Sequence, residues 1–463
     1  MKKHEVDMTS GNLFYKIFIV SLPLMLSGVL QLFYNAADLV VCGKFGSEHS
    51  VAAISATNSL INLIVQIFLG FSVGASVVMA RAFGSKNKEK SQKVVHSSML
   101  LSLVVGIIIG LFGFFFAHRF LSLMGTPNDV IGLSSQYLKI YFIGLPFSMI
   151  YNFGASLLRA TGDTKHPFYY LSLAGIANIF LNLFFVIICH LDVAGVALGT
   201  IVSQAISAIL VVRCLYKNNG FCKLEFSKLK FSKEEVKEII FVGFPAGLQG
   251  AIFSLSNVLI QSSVNSLGTA IMDGNGAATS LEGFVYTCMN AIAQTSIAFI
   301  SANYGAKNIK NIHRSVLYSV LLVMIFGTII GGAVTIFGKQ LLTLYINNPV
   351  AINEGYERLK IICLTYTLCG LMDVFAFSLR GIGYSLLPTL VTLAGACGIR
   401  VLWVYTVFAS PAYHNLKWLS ISYPVSWLIT ASIHLGLFLI LKAHRFKLLD
   451  DNYSKKSINY SKI

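Results

Sequence analysis

Long apolar runs alternate with short polar segments along the whole chain. Twelve of these runs reach the roughly 20 residues that a helix needs to cross a bilayer. Their approximate ranges are 14–42, 51–80, 94–118, 136–160, 167–190, 193–216, 237–267, 274–302, 314–337, 354–380, 387–408 and 418–442. The pattern therefore predicts an all-α polytopic membrane protein with twelve transmembrane helices.

The amino-acid composition agrees with a protein whose main solvent is lipid. Only 12% of the 463 residues are charged, whereas a soluble domain carries about 25%. The net charge of +16 would also suit a nucleic-acid-binding protein, but the Lys and Arg residues are concentrated in the short segments between the apolar runs. We therefore expect the lipid bilayer as a partner and no nucleic acid.

Sequence motifs of nucleotide and metal binding are absent. The chain contains no nucleotide-binding P-loop and no HExxH, and its eight cysteines form no CxxC pair. Its one GxSxG match, at 70–74, lies inside the second apolar run, whereas the hydrolase motif occupies a turn between a strand and a helix. Most of the cysteines lie inside apolar runs, where Cys acts as a small hydrophobic residue. We expect neither an enzyme nor a cofactor or structural metal.

Basic residues mark one side of the membrane. They cluster after the second, sixth, eighth and twelfth runs, in the segments 81–93, 217–237, 307–314 and 442–462. Because cytoplasmic loops carry the excess of Lys and Arg, both termini are predicted to be cytoplasmic. The low acid content and the abundance of Lys and Ile favour the plasma membrane of a bacterium.

The two halves of the chain resemble each other at a shift of about 221 residues. The segment 84–87 (Gly-Ser-Lys-Asn) recurs as 305–308 (Gly-Ala-Lys-Asn), and Leu158-Arg159 recurs as Leu379-Arg380. Six helices return the chain to its starting side, so the repeats are parallel, as in many transporters. The prediction is two pseudo-symmetric six-helix lobes (1–216 and 237–442), joined by a basic cytoplasmic linker (217–236) and followed by a cytoplasmic tail (443–463).

Three polar residues of the first helix lie on one face. Gln31, Asn35 and Asp38 have the i, i+4, i+7 spacing that aligns side chains on a helix. A charge at the centre of a bilayer costs about 2.5–3.5 kcal/mol or more. A lone carboxylate at position 38 therefore requires a partner or a function.

Asn178 and Asn182 of the fifth helix and Thr200 of the sixth offer neutral oxygens. With Asp38 they form a ligand set suited to a hard cation such as Na⁺. A carboxylate isolated in lipid is equally suited to binding a proton. In a second interpretation, the two Asn residues and Thr200 only hydrogen-bond across helices, as polar residues in membranes often do.

The second half carries different polar residues. Ile260 stands at the repeat position of Asp38, and Arg400 stands at that of Asn178. A possible charge cluster in this half consists of Glu282, Asp373 and Arg400. It is either a structural set of ion pairs or a switch in which Arg400 releases a carboxylate when a substrate or proton arrives.

Three segments resemble the multidrug and toxic compound extrusion (MATE) family. They are Pro23…Gln31…Asp38, Leu158-Arg159-Ala160-Thr161-Gly162-Asp163, and Leu379-Arg380-Gly381-Ile382-Gly383 followed by Pro388. The resemblance covers essentially the whole chain. It implies a secondary antiporter that works by alternating access and exports organic cations or amphipathic drugs in exchange for Na⁺ or H⁺.

The resemblance also implies roles for individual residues. The family's first-lobe cation site matches Asp38, Asn178, Asn182 and Thr200, although members often have Asp at the position of Asn182. Gln31 and Asn35 are expected to line the substrate cavity, and Pro23 matches a proline at which the helix bends during gating. For the second-lobe carboxylate site of some members, helix 7 offers only Gln249, and Asp373 lies about one turn away from the expected place.

The main alternative is a lipid-linked precursor flippase of the same superfamily. Such proteins usually carry two additional helices and a cationic cavity, whereas this chain ends after its twelfth apolar run with Arg400 as its clear intramembrane arginine. A channel would show a recognisable filter, and none is found. We expect a monomer that moves small molecules.

Overall fold

The computed structural model describes residues 5–47 and 49–460, with side chains described as far as residue 442. In the first half the helices are α1 Leu13–Phe45, α2 Ser50–Gly84, α3 Lys88–Leu123, α4 Ile131–Ala160, α5 Lys165–Leu183 and α6 Asp192–Lys217. In the second half they are α7 Lys233–Asn265, α8 Thr269–Gly305, α9 Ile309–Ile336, the short α10 Gly338–Leu342, α11 Pro349–Gly381, α12 Leu386–Thr392, α13 Ile399–Trp403 and α14 Leu416–Tyr460.

Twelve helical spans in the described ranges are long and apolar enough to cross a membrane. Each coincides within a few residues with one of the predicted runs, and these ranges contain no β-strand. The predicted all-α fold with twelve transmembrane helices is confirmed.

The fifth span of each half includes π-helical turns. One turn, Phe184–Ile188, continues α5, and Val404–Phe408 follows α13 at the related place in the repeat. A further π-helical segment, Leu393–Gly398, joins α12 to α13, so that Leu386–Phe408 forms one span. Such turns are rare in proteins overall, and those that occur often lie at functional sites. Hydrophobic periodicity does not reveal them.

The internal repeat is visible in the backbone of two turns. Lys86 and Lys307, in the repeated Gly-x-Lys-Asn segment, have positive φ angles of 56° and 57°. Gly162 and Gly383, which end α4 and α11, have φ angles of 85° and 110°. Both glycines donate to the carbonyl of the preceding arginine at 3.0 Å, as expected of the αL residue that closes a helix.

By their internal contacts, the described residues group into two compact units. Unit 1 contains residues 5–7, Leu22–Phe83 and Asn87–Ser254, and unit 2 contains Met8–Ser21, Gly84–Lys86 and the residues from Leu255 onward. These units differ from the predicted lobes, because the linker and most of α7 belong to unit 1 and the start of α1 belongs to unit 2.

Facing glycines explain why the first part of α7 belongs to unit 1. A Cβ atom added at Gly70 of α2 would overlap the backbone of Gly247, and one added at Gly74 would lie 2.8 Å from the nitrogen of Gly243. Both helices therefore use a Gly-x-x-x-Gly spacing to bring their backbones into contact, as is common in membranes. At the start of α7, Glu238 contacts Arg81 at 3.3 Å and Lys90 at 2.8 Å.

We expect Gly70→Ala to lower stability by about 1–3 kcal/mol, because the added methyl group has to push the two backbones apart. The measurement is thermal unfolding of the purified protein in detergent. The matched control is Gly276→Ala, since Gly276 is also helical and has nothing within 4 Å of its added Cβ. The control variant should be neutral or slightly stabilised, because Ala favours helix over Gly. Equal melting temperatures for both variants would contradict a tight glycine crossing.

The predicted linker is docked rather than free. The backbone N–H of Glu225 donates to Nε2 of His96 at 3.1 Å, and that of Ser232 donates to Oγ of Ser97 at 3.0 Å. Glu225 also binds Lys228 and Lys223, and these hydrogen bonds hold the pKa of its carboxyl below the usual value. Contacts with α3 thus fix the segment onto unit 1.

The beginning of the chain is held in unit 2 by α9. The ring of Phe14 packs edge to face on Tyr318, with 5.7 Å between centroids. Asn311 Nδ2 donates to the carbonyl oxygen of Thr9 at 2.6 Å. These contacts explain why Met8–Ser21 groups with the second half of the sequence.

Candidate functional site

The candidate site lies in unit 1, around the carboxylate of Asp38. Its Oδ1 accepts a hydrogen bond of 2.6 Å from Nδ2 of Asn182, which is fully buried on α5. Asp38 itself is partly exposed. The carboxylate that the sequence singled out therefore has a direct amide partner on a neighbouring helix.

The other two predicted residues continue the same polar cluster. Asn182 Nδ2 lies 3.4 Å from Oδ1 of Asn178, and Asn178 Nδ2 lies 3.4 Å from Oγ1 of Thr200. Thr200 donates its own proton to the carbonyl of Val196 at 2.9 Å. The structure thus brings Asp38, Asn178, Asn182 and Thr200 together from α1, α5 and α6.

The Oδ1 atom of Asn182 is the unusual feature of the cluster. It is buried and has no hydrogen-bond partner among the described residues. Leaving a buried polar atom unsatisfied costs about 1–3 kcal/mol, so such an atom requires an explanation. The cluster offers an amide oxygen, a carboxylate and a hydroxyl, which are the kinds of oxygen donor that a small hard cation prefers, so these residues fit a Na⁺ ion.

Two glycines make room for this arrangement. A Cβ atom added at Gly199 of α6 would overlap Asn182 Oδ1, and one added at Gly175 of α5 would overlap the ring of Tyr34. The hydroxyl of Tyr34 donates to the carbonyl of Ser172 at 3.2 Å. Because Tyr34 is one turn before Asp38, its contact with α5 orients α1 so that the carboxylate faces Asn182.

Gln31, Asn35 and Pro23 lie earlier on α1. Gln31 and Asn35 are exposed in unit 1, and their role in a substrate cavity stays a prediction. The helix continues without interruption through Pro23, whose carbonyl accepts a 2.7 Å hydrogen bond from Ser27. The gating role of Pro23 also stays a prediction.

In the second half, the predicted pairing of Glu282 with Arg400 is wrong. Glu282 of α8 forms a two-point ion pair with Arg358 of α11, with Nε–Oε1 and Nη2–Oε2 distances of 2.8 Å. The apolar run 354–380 places Arg358 near the start of its helix, where a basic residue needs no buried partner. The helix begins at Pro349, so Arg358 lies more than two turns inside it and is 3% exposed.

Arg400 and Asp373 have other neighbours. Arg400 Nε donates to Oγ of Ser426 at 3.0 Å, and its guanidinium lies 4.1 Å from the ring centroid of Tyr423, within the range of cation–π attraction. Asp373 is hydrogen-bonded to Asn290 and is close to Arg380. Glu282 and Asp373 therefore have separate basic neighbours, and no spacing signal in the sequence would have identified them.

Two parallel six-helix repeats with a carboxylate–amide cluster inside the membrane are typical of secondary transporters. The family model MatE matches residues 23–184 and 245–406, once in each half of the sequence. The chain belongs to the MatE family of transporters and is a multi-pass membrane protein.

Several known proteins are similar to this chain. The probable multidrug resistance protein YoeA of Bacillus subtilis is 26% identical over 433 residues, which cover 91% of this chain and 92% of YoeA. A FAD transporter of Shewanella oneidensis is 24% identical over 365 residues, which cover 78% and 80% of the two chains. The fold is shared with a multidrug resistance MATE family transporter solved in an outward-facing conformation, with a TM-score of 0.89, 20% identity and 97% and 100% coverage.

Proposed function

We propose that this protein is an antiporter that exports organic cations or amphipathic drugs in exchange for Na⁺ or H⁺ by alternating access. The observation that supports the coupling site most directly is the pair formed by Asp38 and Asn182, with the buried Oδ1 of Asn182 unpartnered among the described residues. Family membership supports the transport activity, and the name of the Bacillus relative supports drugs as substrates.

The proposed cycle uses Asp38 as the group that senses the coupling ion. A Na⁺ ion would bind the carboxylate and the Oδ1 atom of Asn182, and a proton would bind the carboxylate alone. Either ion neutralises the charge and weakens the hydrogen bond from Asn182, since a bond to a charged acceptor is stronger than one to a neutral acceptor. The contact between α1 and α5 then changes, and the substrate held near Gln31 and Asn35 is released outside.

Orientation and location belong to the same proposal. The basic segments support an orientation in which both termini are cytoplasmic, in the plasma membrane of a bacterium. The relatives reported above are not named for lipid-linked precursors, so the flippase alternative is not favoured.

The test is efflux from proteoliposomes that contain the purified protein and an organic cation dye. One arm carries an inward Na⁺ gradient and a second carries an inward proton gradient, and empty liposomes provide the background. Gradient-dependent dye loss in one arm would identify the coupling ion. A chain that moves a flavin dinucleotide but no organic cation under either gradient would contradict the proposed substrate class.

We expect Gly199→Ala to weaken ion coupling about tenfold while leaving the protein folded. The added methyl group overlaps Asn182 Oδ1, so the oxygen has to move, and losing one well-placed ligand bond of about 1.4 kcal/mol is a tenfold change. The measurement is the ion concentration that gives half-maximal efflux. Gly332→Ala, where the new atom has open space, is the control and should match the parent. An unchanged half-maximal concentration in Gly199→Ala would show that Asn182 Oδ1 does not bind the ion.

A further inference from the structure

A pocket lies in unit 1 at the predicted cytoplasmic end of α5 and α6, away from the Asp38 cluster. It has a volume of about 350 Å³. The charged residues that line it are Glu5, Asp163, His166, Arg213 and Lys217. The proposed transport cycle uses none of these residues, so the pocket needs its own explanation.

The acidic and basic residues of the pocket differ in their hydrogen-bond and ion-pair partners. Asp163 is buried and contacts Nδ1 of His166 at 2.6 Å and the backbone N–H of the same residue at 3.2 Å. Glu5 has interactions of its own and lies against Gly220. Arg213 and Lys217 are exposed and form no ion pair with any residue that the structure describes. Beside the carboxylates of Glu5 and Asp163, the pocket therefore offers two basic side chains that form no ion pair in the described residues, and an anionic group is the ligand that would pair with them.

The face of α6 that carries these cations continues as an apolar stripe. Val202, Ile209, Arg213 and Lys217 recur at helical spacing on one side of the helix. Val202 is 37% exposed and Ile209 is 65% exposed. In a membrane this stripe faces acyl chains, and it leads directly to the two cations at the predicted cytoplasmic surface. An amphiphile with a negative headgroup matches both features, whereas a small soluble anion matches only the cations.

We propose that this pocket binds the phosphate headgroup of an anionic phospholipid of the cytoplasmic leaflet. Arg213 and Lys217 contact the phosphate, and the acyl chains lie along Val202 and Ile209. Basic pockets at the cytoplasmic ends of transmembrane helices are suited to such headgroups. The site holds a lipid against the α5–α6 pair, the two helices that also carry Asn182 and Thr200.

The test measures lipid binding to the purified full chain in detergent by native mass spectrometry. Phosphatidylglycerol, phosphatidylethanolamine and inorganic phosphate are added separately to the parent and to the double variant Arg213→Gln/Lys217→Gln. A basic side chain near an anionic lipid surface contributes about fivefold in affinity, so the double variant should bind phosphatidylglycerol about 25-fold more weakly. The matched control Lys88→Gln/Lys310→Gln removes the same charge from exposed positions outside the pocket and should bind like the parent.

A second variant covers the case in which the charge changes disturb folding. Leu210→Trp fills the pocket, which Leu210 also lines, without altering any charge, and it should also lose tight phosphatidylglycerol binding. Equal weakening in the pocket and control variants would overturn the proposal, because it would indicate only general attraction to charge. Displacement of the lipid by inorganic phosphate at equal concentration would overturn the lipid assignment and identify a soluble phosphate site.

Discussion

Replacing Asp38 with Asn is expected to reduce gradient-driven efflux to the level of empty liposomes. The substitution keeps the size of the side chain and a carbonyl oxygen that Asn182 Nδ2 can still approach, but it removes the negative charge. At an effective dielectric constant of about 20, two opposite unit charges about 4 Å apart attract each other by about 4 kcal/mol, so loss of the carboxylate charge should weaken ion binding by about 100-fold or more. No other carboxylate belongs to the described cluster of Asp38, Asn178, Asn182 and Thr200.

The measurement is dye efflux under the gradient that drives the parent protein. Asp129→Asn is the matched control, because it makes the same chemical change at an exposed position between α3 and α4. The control should export like the parent, and both variants should melt near the parent temperature. Undiminished, gradient-dependent efflux by Asp38→Asn would rule out Asp38 as the coupling site.

Parts of this fold were predictable from the sequence because placing a polar group in lipid costs free energy. Twelve apolar runs gave twelve spans because backbone groups in a membrane have to be satisfied within helices. The same cost explains why Asp38, Asn178, Asn182 and Thr200 could be grouped: polar side chains inside a bilayer tend to find one another. The repeat also identified turns that share backbone conformations, such as those at Lys86 and Lys307.

The features that were missed depend on contacts between distant segments. Gly70 and Gly247 meet because their helices cross, and no local pattern shows which glycine of α7 faces α2. Likewise, the partner of Glu282 lies 76 residues further along the chain. Basic residues indicated that 217–236 is cytoplasmic, but its docking through His96 and Ser97 depends on two hydrogen bonds that composition does not encode.

Glu282 and Arg358 provide the second large expected effect. Both side chains are buried, at 5% and 3% exposure, and Arg358 also lies 5.1 Å from the ring centroid of Tyr423. We expect Arg358→Met to lower stability by about 3–5 kcal/mol, because it leaves the Glu282 carboxylate buried without its cation. The measurement is thermal unfolding in detergent together with the yield of folded protein.

The double variant Glu282→Gln/Arg358→Met separates the net stabilisation by the ion pair from the cost of leaving one of its charges buried and unpaired. Because no charge is then left unpaired, we expect it to recover most of the lost stability, as replaced buried ion pairs often do. If the double variant also retains gradient-driven efflux, the pair holds α8 against α11 and has no part in coupling. A stable double variant that has lost efflux would instead assign Glu282 a role in transport. The functional interpretation of the second-half charges would then hold with Arg358, rather than Arg400, as the partner.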